Sequence, residues 1–186
     1  MDMREELKKL LLEKSFKLGD FTLSSGAKSD YYIDARIASL DPDGAFYIAS
    51  LFLKRIVDIR ADAVGGLTIG ADPIVGAVVA LSHSLSSPVH GFIVRKETKK
   101  HGTAKIVEGN LRSGDRVAIV EDVVTSGASA MKAVEAARSL GGEVIEILAV
   151  VDREEGGREF FEKNGLKLMS LFSVSELKEA ASKVES

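Results

Sequence analysis

The chain has no cysteine. Disulfides, thiolate metal centres and cysteine nucleophiles are therefore excluded. At 186 residues it is long enough to hold a fold by burial alone, and a reducing compartment fits. Long apolar runs are also missing. The longest, Ile74–Leu81, spans about eight residues and contains Gly76, where roughly 20 are needed to cross a bilayer. The opening residues, Met1-Asp2-Met3-Arg4-Glu5-Glu6, are charged and form no apolar signal region. The expectation is a cytoplasmic protein with no membrane partner. Nor is there an excess of positive charge. The 25 Lys and Arg stand against 28 Asp and Glu, a formal net charge of −3, which argues against binding nucleic acid through its phosphates. Two nucleotide signatures are absent as well: no G-x-x-x-x-G-K-[ST] and no glycine pair at G-x-G spacing. An ordinary nucleoside triphosphatase or dinucleotide enzyme is thus disfavoured. No repeat, linker or low-complexity stretch interrupts the chain, so residues 1–186 read as one domain.

What is present is alternation. Apolar residues make up 45% and charged residues 28%, an ordinary globular balance. Spacing near 3.6 predicts helices over 4–14 and over 44–58, the second preceded by the capping run Asp41-Pro42-Asp43. Beyond these, short β-branched runs predict strands at 63–67, 89–94, 116–120 and 144–151. Helices are predicted between them at 73–84 and 128–140, the latter stopped by Gly141-Gly142. Strands apolar on both faces and separated by helices imply an α/β, doubly wound, mostly parallel sheet. Ligands of such sheets sit outside the carboxyl ends of the strands. Residues 21–23 and 31–33 read as short strands. With a tail strand at 166–172 and helix at 175–184 they are expected to form a small lid, from about 1–40 and 165–186, over a core of about 41–164. Residues 97–110 are long for a loop in a compact domain and form a candidate active-site loop.

The chemistry concentrates in Val117-Ala118-Ile119-Val120-Glu121-Asp122-Val123-Val124-Thr125-Ser126-Gly127-Ala128-Ser129. A buried strand leads into two adjacent carboxylates and then a small-residue loop that opens a helix. The loop Thr125–Ser129 offers backbone N–H groups where the partial positive charge of a helix start favours a monophosphate. Gly127 permits close approach. Glu121 and Asp122 would repel that phosphate directly, but can accept hydrogen bonds from neighbouring hydroxyls such as a ribose 2′,3′-diol. The simpler alternative is an acidic turn with Ser or Thr capping a helix.

This run resembles the phosphoribosyl pyrophosphate (PRPP) motif of type I phosphoribosyltransferases. Two further stretches resemble signatures of the orotate phosphoribosyltransferase family. Phe21-Thr22-Leu23-Ser24-Ser25-Gly26-Ala27-Lys28-Ser29-Asp30-Tyr31-Tyr32 matches its N-terminal signature, and Arg95-Lys96-Glu97-Thr98-Lys99-Lys100-His101-Gly102 its mobile catalytic loop. The likeness covers about Phe16 to Arg153, in the same order, and is closest to the short form seen in archaea.

The resemblance implies a type I phosphoribosyltransferase sheet under a hood. It implies transfer of ribose 5-phosphate from PRPP to N1 of orotate, giving orotidine 5′-monophosphate and pyrophosphate. PRPP is expected on Glu121, Asp122, Val123, Val124, Thr125, Ser126, Gly127, Ala128 and Ser129. Arg95, Lys96, Lys99 and His101 are expected on its pyrophosphate. Read without the family, the basic run is equally a solvated face. Lys99 and His101 are expected to reach into the neighbouring subunit's site, so that a homodimer shares its sites. His101 is expected to donate a proton or hydrogen bond to the leaving group, making Lys99, His101 and Asp122 the catalytic set. Thr68, Ile69 and Gly70 match the pyrophosphate-side loop, which often carries a cis peptide in this fold; alone they read as an ordinary glycine-rich turn. Thr125 and Arg153 are expected on orotate, the latter as a planar fork to its carboxylate unless it pairs with Asp152, Glu154 or Glu155. The 31–33 segment is expected to cover the base, and His83 and His90 to be structural. Mg²⁺ is expected through substrate oxygens, without dedicated protein ligands. Two positions depart from the family pattern: Ser24 replaces a Lys common in bacterial members, and 103–109 lacks their glycine cluster. Rival readings are a type I phosphoribosyltransferase for a purine or uracil, and a PRPP-sensing regulator of the same fold.

Overall fold

Burial on both sides of a central sheet organises the chain. The computed structural model describes residues 2–22, 26, 28–84, 86, 88–96 and 105–184. Helix α1 (Met3–Leu10) starts at Asp2, whose carboxylate accepts from the Arg4 N–H at 3.0 Å. It runs on as a π-type turn over Leu11–Ser15. Strands β1 (Phe16–Thr22) and β2 (Lys28–Ile33) form a separate antiparallel pair. Helix α2 (Ala35–Ser39) leads into α3 (Pro42–Asp58), which Asp41 caps by accepting from the Asp43 and Gly44 N–H groups, with Pro42 in its first turn.

The main sheet has six strands: β3 (Ala63–Leu67), β4 (His90–Val94), β5 (Val107–Gly109), β6 (Arg116–Val124), β7 (Glu143–Asp152) and β8 (Leu168–Ser173). Their order across the sheet is β5-β4-β3-β6-β7-β8, and all neighbours are parallel except β4 and β5. Helices α4 (Ala71–Ser82), α5 (Ala128–Ser139), α6 (Gly157–Lys163) and α7 (Val174–Val184) follow β3, β6, β7 and β8. The chain steps outward from β3 to β5, then returns to β6 and steps outward the other way. The switch between β3 and β6 opens a crevice at their carboxyl ends.

Successive residues of a strand face opposite sides, and the core divides accordingly. On β6, Ala118 and Val120 join an apolar cluster with Leu7, Ile48, Phe52 and Ile74 from α1, α3 and α4. Val117 and Ile119 join a second cluster with Ala130, Val134 and Phe161 from α5 and α6. At about 25 cal/mol per Å², each fully buried Ile or Phe stabilises by roughly 1.5–3 kcal/mol, which accounts for a core that has no cross-links.

Three placements correct the sequence expectation. The tail strand β8 pairs in parallel with β7 at the edge of the main sheet, so residues 168–173 belong to the core and not to the lid. Periodicity marked the strand, but its partner is set by non-local pairing. Strand β6 runs to Val124, past the expected end at 120, so the acidic pair lies within the strand, Glu121 opposite Ala149 of β7. Helices α2 and α6 and strand β5, of three to seven residues, were too short for periodicity to mark. The lid itself is the β1–β2 pair, with α7 packed on β1 and Lys178 bound to Asp30 at 2.8 Å. No described helix is long and apolar enough to cross a membrane.

Candidate active site

Small residues bring the two sides of the crevice together. A Cβ on Gly66 would sit 2.3 Å from the Val120 carbonyl oxygen, so β3 and β6 approach closely only with glycine there. A Cβ on Gly70 would meet the Asp122 carboxylate at 2.5–2.8 Å. The turn after β3 therefore lies directly on the second acid of the pair. The Thr68–Ile69 peptide in that turn is cis, as the resemblance implied. Thr68 Oγ1 donates to Asp72 Oδ2 at 2.7 Å, and the Thr68 N–H donates to the Val94 carbonyl at 2.8 Å.

The two acids differ sharply. Glu121 is 6% exposed, and its Oε2 has no hydrogen-bond partner. Burial, with the adjacent Asp122 charge second, pushes its carboxyl up to about 8, while Lys96 pulls the other way. Asp122 is half-buried, and its Oδ1 accepts from the Val123 N–H at 2.8 Å. A buried carboxyl oxygen without a partner is costly for the folded state. Structure of that kind is expected where a ligand supplies the missing partner.

Just downstream the backbone turns into α5. Gly127 has φ 84° and serves as the residue before the helix, and a Cβ there would lie 2.7 Å from the Phe161 ring. The loop thus rests on α6, and only glycine satisfies both the dihedral and the contact. Glu121 and residues 123–130 line a small cradle of about 50 Å³ at the start of α5. Its size and its amides suit one tetrahedral anion.

A larger cavity of about 310 Å³ joins these parts. It brings together Thr68, Ile69, Gly70, Lys96, Glu121, Asp122, Val123, Thr125, Ser129 and Arg153, which are the sequence-predicted residues on its wall. Ser126, Gly127 and Ala128 line the smaller cradle alone, and Val124, which also borders that cradle, is only 2% exposed. Arg95 is not on the wall of the larger cavity. Its N–H donates to the Ile106 carbonyl at 2.8 Å and its guanidinium lies 3.8 Å from Glu108. Lys99 and His101, with the rest of 97–104, and Ser24 lie outside the described residues. His83 caps the end of α4 and His90 sits on β4, at a pocket with Arg60 and Asp115. Neither touches the cavity.

The 31–33 segment expected over the base contributes Tyr32 and Ile33 to the wall, and the two residues that the sequence reading missed, Asp34 and Arg36, line the cavity beside them. Asp34 caps α2 by accepting from the Arg36 N–H at 3.1 Å, and it grips the same residue's guanidinium with both oxygens at 2.8 Å. That clamp holds Arg36 further toward its charged form and depresses the Asp34 carboxyl, with hydrogen bonding the main cause in each. The signal was an Asp-x-Arg directly after an aromatic strand, which periodicity does not read.

Arg153 is the first residue of the loop after β7. Its N–H donates to the Val124 carbonyl at 2.9 Å. Its Nε donates to Tyr31 Oη at 2.7 Å, and Nη2 lies 2.8 Å from Glu155 Oε1. Of the three acids offered as partners from the sequence, Glu155 is the one engaged. Asp152 pairs with Arg158 at 3.2 Å, and Glu154 accepts from the Ser175 N–H and hydroxyl. Arg153 still lines the cavity.

No family model matches the chain. Individual proteins do. An orotate phosphoribosyltransferase of Aquifex aeolicus is 50% identical over 177 residues, covering 94% of this chain and 97% of that one. Among solved structures, the Mycobacterium tuberculosis orotate phosphoribosyltransferase with Fe(III) dicitrate superposes with a TM-score of 0.82 at 40% identity, covering 94% of this chain and 98% of the other. The same enzyme crystallised with PRPP gives 0.79 at 36% identity, with 95% and 99% covered.

Proposed function

The chain belongs to the orotate phosphoribosyltransferase family, and from that premise we propose that its cavity transfers ribose 5-phosphate from PRPP to N1 of orotate. The products are orotidine 5′-monophosphate and pyrophosphate, and the reaction belongs to pyrimidine (UMP) biosynthesis. One observation carries the reading: an acid with an orphaned oxygen, its acidic neighbour, an amide cradle and a guanidinium share a single crevice at the sheet's switch point.

Each part has a task. The amides of Thr125–Ser129 hold the 5-phosphate at the positive end of α5. Glu121 and Asp122 accept the ribose hydroxyls, which supply the partner that Glu121 Oε2 lacks. The turn Thr68–Gly70 lies against Asp122 and presents backbone to the pyrophosphate side. Lys96 faces the same cavity and offsets the leaving group's charge. Arg95 takes part only if its guanidinium swings from Glu108 toward the ligand. Lys99 and His101 complete this basic set from a neighbouring subunit of a homodimer, with His101 protonating or hydrogen-bonding the departing pyrophosphate. Thr125 and Arg153 meet orotate.

Mg²⁺ fits these donors. Asp122 and the orphaned Glu121 Oε2 give the cavity oxygen donors of the kind a hard cation takes. Among the described residues no group of three or more His, Asp or Glu is arranged to hold a metal, so the ion would come with the substrate's oxygens. When bound, such an ion would supply charge neutralisation for the pyrophosphate. A cytoplasmic location fits the reaction.

The test is product formation with PRPP, Mg²⁺ and one base at a time. Orotate is expected to be consumed and adenine, guanine and uracil left. Turnover of one of those in place of orotate would overturn the assignment.

A further inference from the structure

Arg153 has five N–H donors in a fixed plane, and the protein has already used one edge of it. The side edge consists of Nε and Nη2. Nε donates to Tyr31 Oη at 2.7 Å, and Nη2 pairs with Glu155 Oε1 at 2.8 Å. Those two oxygens are themselves joined, since the Tyr31 hydroxyl donates to Glu155 Oε1 at 3.3 Å. Together they present two oxygens to the guanidinium much as a carboxylate would. Among the described residues no hydrogen bond or ion pair reaches Nη1.

Tyr31 is itself fixed. It is 5% exposed and stacks on Phe16 with ring centroids 5.7 Å apart. The Arg153 guanidinium carbon lies 5.0 Å and Lys178 Nζ 4.6 Å from its ring centroid. Burial raises the phenol above its ordinary range, so at neutral pH it keeps the proton it donates to Glu155. The chain supplies these partners from distant points. Tyr31 is on β2 of the lid and Arg153 follows β7 of the sheet, so the contact ties lid to floor.

We propose that Tyr31 and Glu155 are positioning residues that occupy the side edge of Arg153, leaving its Nη1–Nη2 end edge as a two-pronged site for the carboxylate of the incoming base. This deepens the proposed function and rests on it. Selectivity for a carboxylate-bearing pyrimidine then depends on the pair that aims the guanidinium as much as on the guanidinium itself. Tyr31→Phe keeps the ring and its stacking and removes only the oxygen. Glu155→Ala removes the other oxygen, while Glu155→Gln keeps an acceptor there.

The experiment is equilibrium binding of orotidine 5′-monophosphate and of uridine 5′-monophosphate, which differ only in the carboxylate, to wild type and each variant. Steady-state KM values for orotate and PRPP are measured alongside. Wild type is expected to prefer the carboxylated nucleotide. Tyr31→Phe and Glu155→Ala are each expected to shrink that preference about tenfold through the carboxylated ligand alone, consistent with loss of one hydrogen bond to a charged group. KM for orotate is expected to rise by a similar factor, with KM for PRPP unchanged and Glu155→Gln close to wild type. A wild type without the preference would refute the role of Arg153 and this inference with it. A wild type with the preference, retained by both Tyr31→Phe and Glu155→Ala, would overturn this inference and leave the proposed function standing. Equal loss for both nucleotides would also overturn it, because it would mark a general structural defect.

Discussion

The floor and the roof of the cavity are built on opposite principles. The floor is the end of β3 and β6, where Val120 is wholly buried and glycines let backbone touch backbone. Its functional groups are two carboxylates and a run of amides, fixed by strand pairing to β7. The roof is a two-stranded hairpin with a short helix, held by charge: Asp34 on Arg36, Asp30 on Lys178, and Tyr31 with Glu155 on Arg153. Packed strands cannot shift without opening the core. The more exposed of these clamps, Asp34 on Arg36 and Asp30 on Lys178, can exchange partners at small cost. The floor is therefore suited to holding ribose and phosphate, and the roof to aiming the Arg153 guanidinium toward the base.

Five substitutions test that division. The largest effect is expected outside both layers, on the basic loop proposed to assist the departing pyrophosphate. Lys99→Ala or His101→Ala should lower kcat by about 10²-fold or more, the usual scale of general acid–base assistance. Thermal stability should be unchanged. Unaltered kcat in both would remove the loop from the mechanism.

On the floor, Asp122→Asn keeps an oxygen for the Val123 N–H but removes the charge. PRPP affinity should fall by roughly 10- to 100-fold, as expected for losing a charge-assisted hydrogen bond, with KM for orotate little affected. Titration calorimetry decides this, and equal losses for both substrates would blur the division. Gly70→Ala strains no dihedral, since Gly70 has φ −63°, yet its methyl must push the Asp122 carboxylate aside. A loss of PRPP affinity of up to about tenfold is expected. No loss would mean that the position of Asp122 is unimportant.

The smallest effect on activity, and a distinct one on stability, belongs to Glu121→Gln. The carboxyl ionises near 4.5 when unfolded and near 8 when folded. The folded state therefore holds its proton more tightly across that window. The stability this gives is complete below the unfolded value and is lost as pH rises through about 8. The amide does not titrate. Ligand-free Glu121→Gln should match wild type in Tm near pH 5 only up to a constant offset, and gain on it steadily toward pH 8.5. A parallel pair of curves would show that Glu121 ionises normally.

Much of the floor was legible in the sequence, and of the roof its two strands, though not the contacts that hold it. Strand 63–67 was read to the residue, because a buried parallel strand is a continuous apolar run bounded by breaks. The acidic pair and Thr125–Ser129 were legible because their chemistry is local to thirteen consecutive residues. Arg153 was read as a site residue and Glu155 offered among its partners, but Tyr31 was not. Tyr31 lies 122 residues away, and no local pattern announces such a contact. Asp34 and Arg36 were missed because their clamp spans two residues and ends in a helix of five. Strand β8 was read as a strand yet assigned to the lid, since periodicity gives an element's type and not its neighbour.

The claim on which the rest depends is that Glu121 and Asp122 hold the ribose while the amides after them hold its phosphate. A crystal of the protein soaked with orotidine 5′-monophosphate tests it most directly. The account predicts the 2′- and 3′-hydroxyls on the two carboxylates, the phosphate on the backbone of Thr125–Ser129 and the base carboxylate facing Arg153. A nucleotide whose sugar lies elsewhere, or whose phosphate sits on Thr68–Gly70, would contradict it.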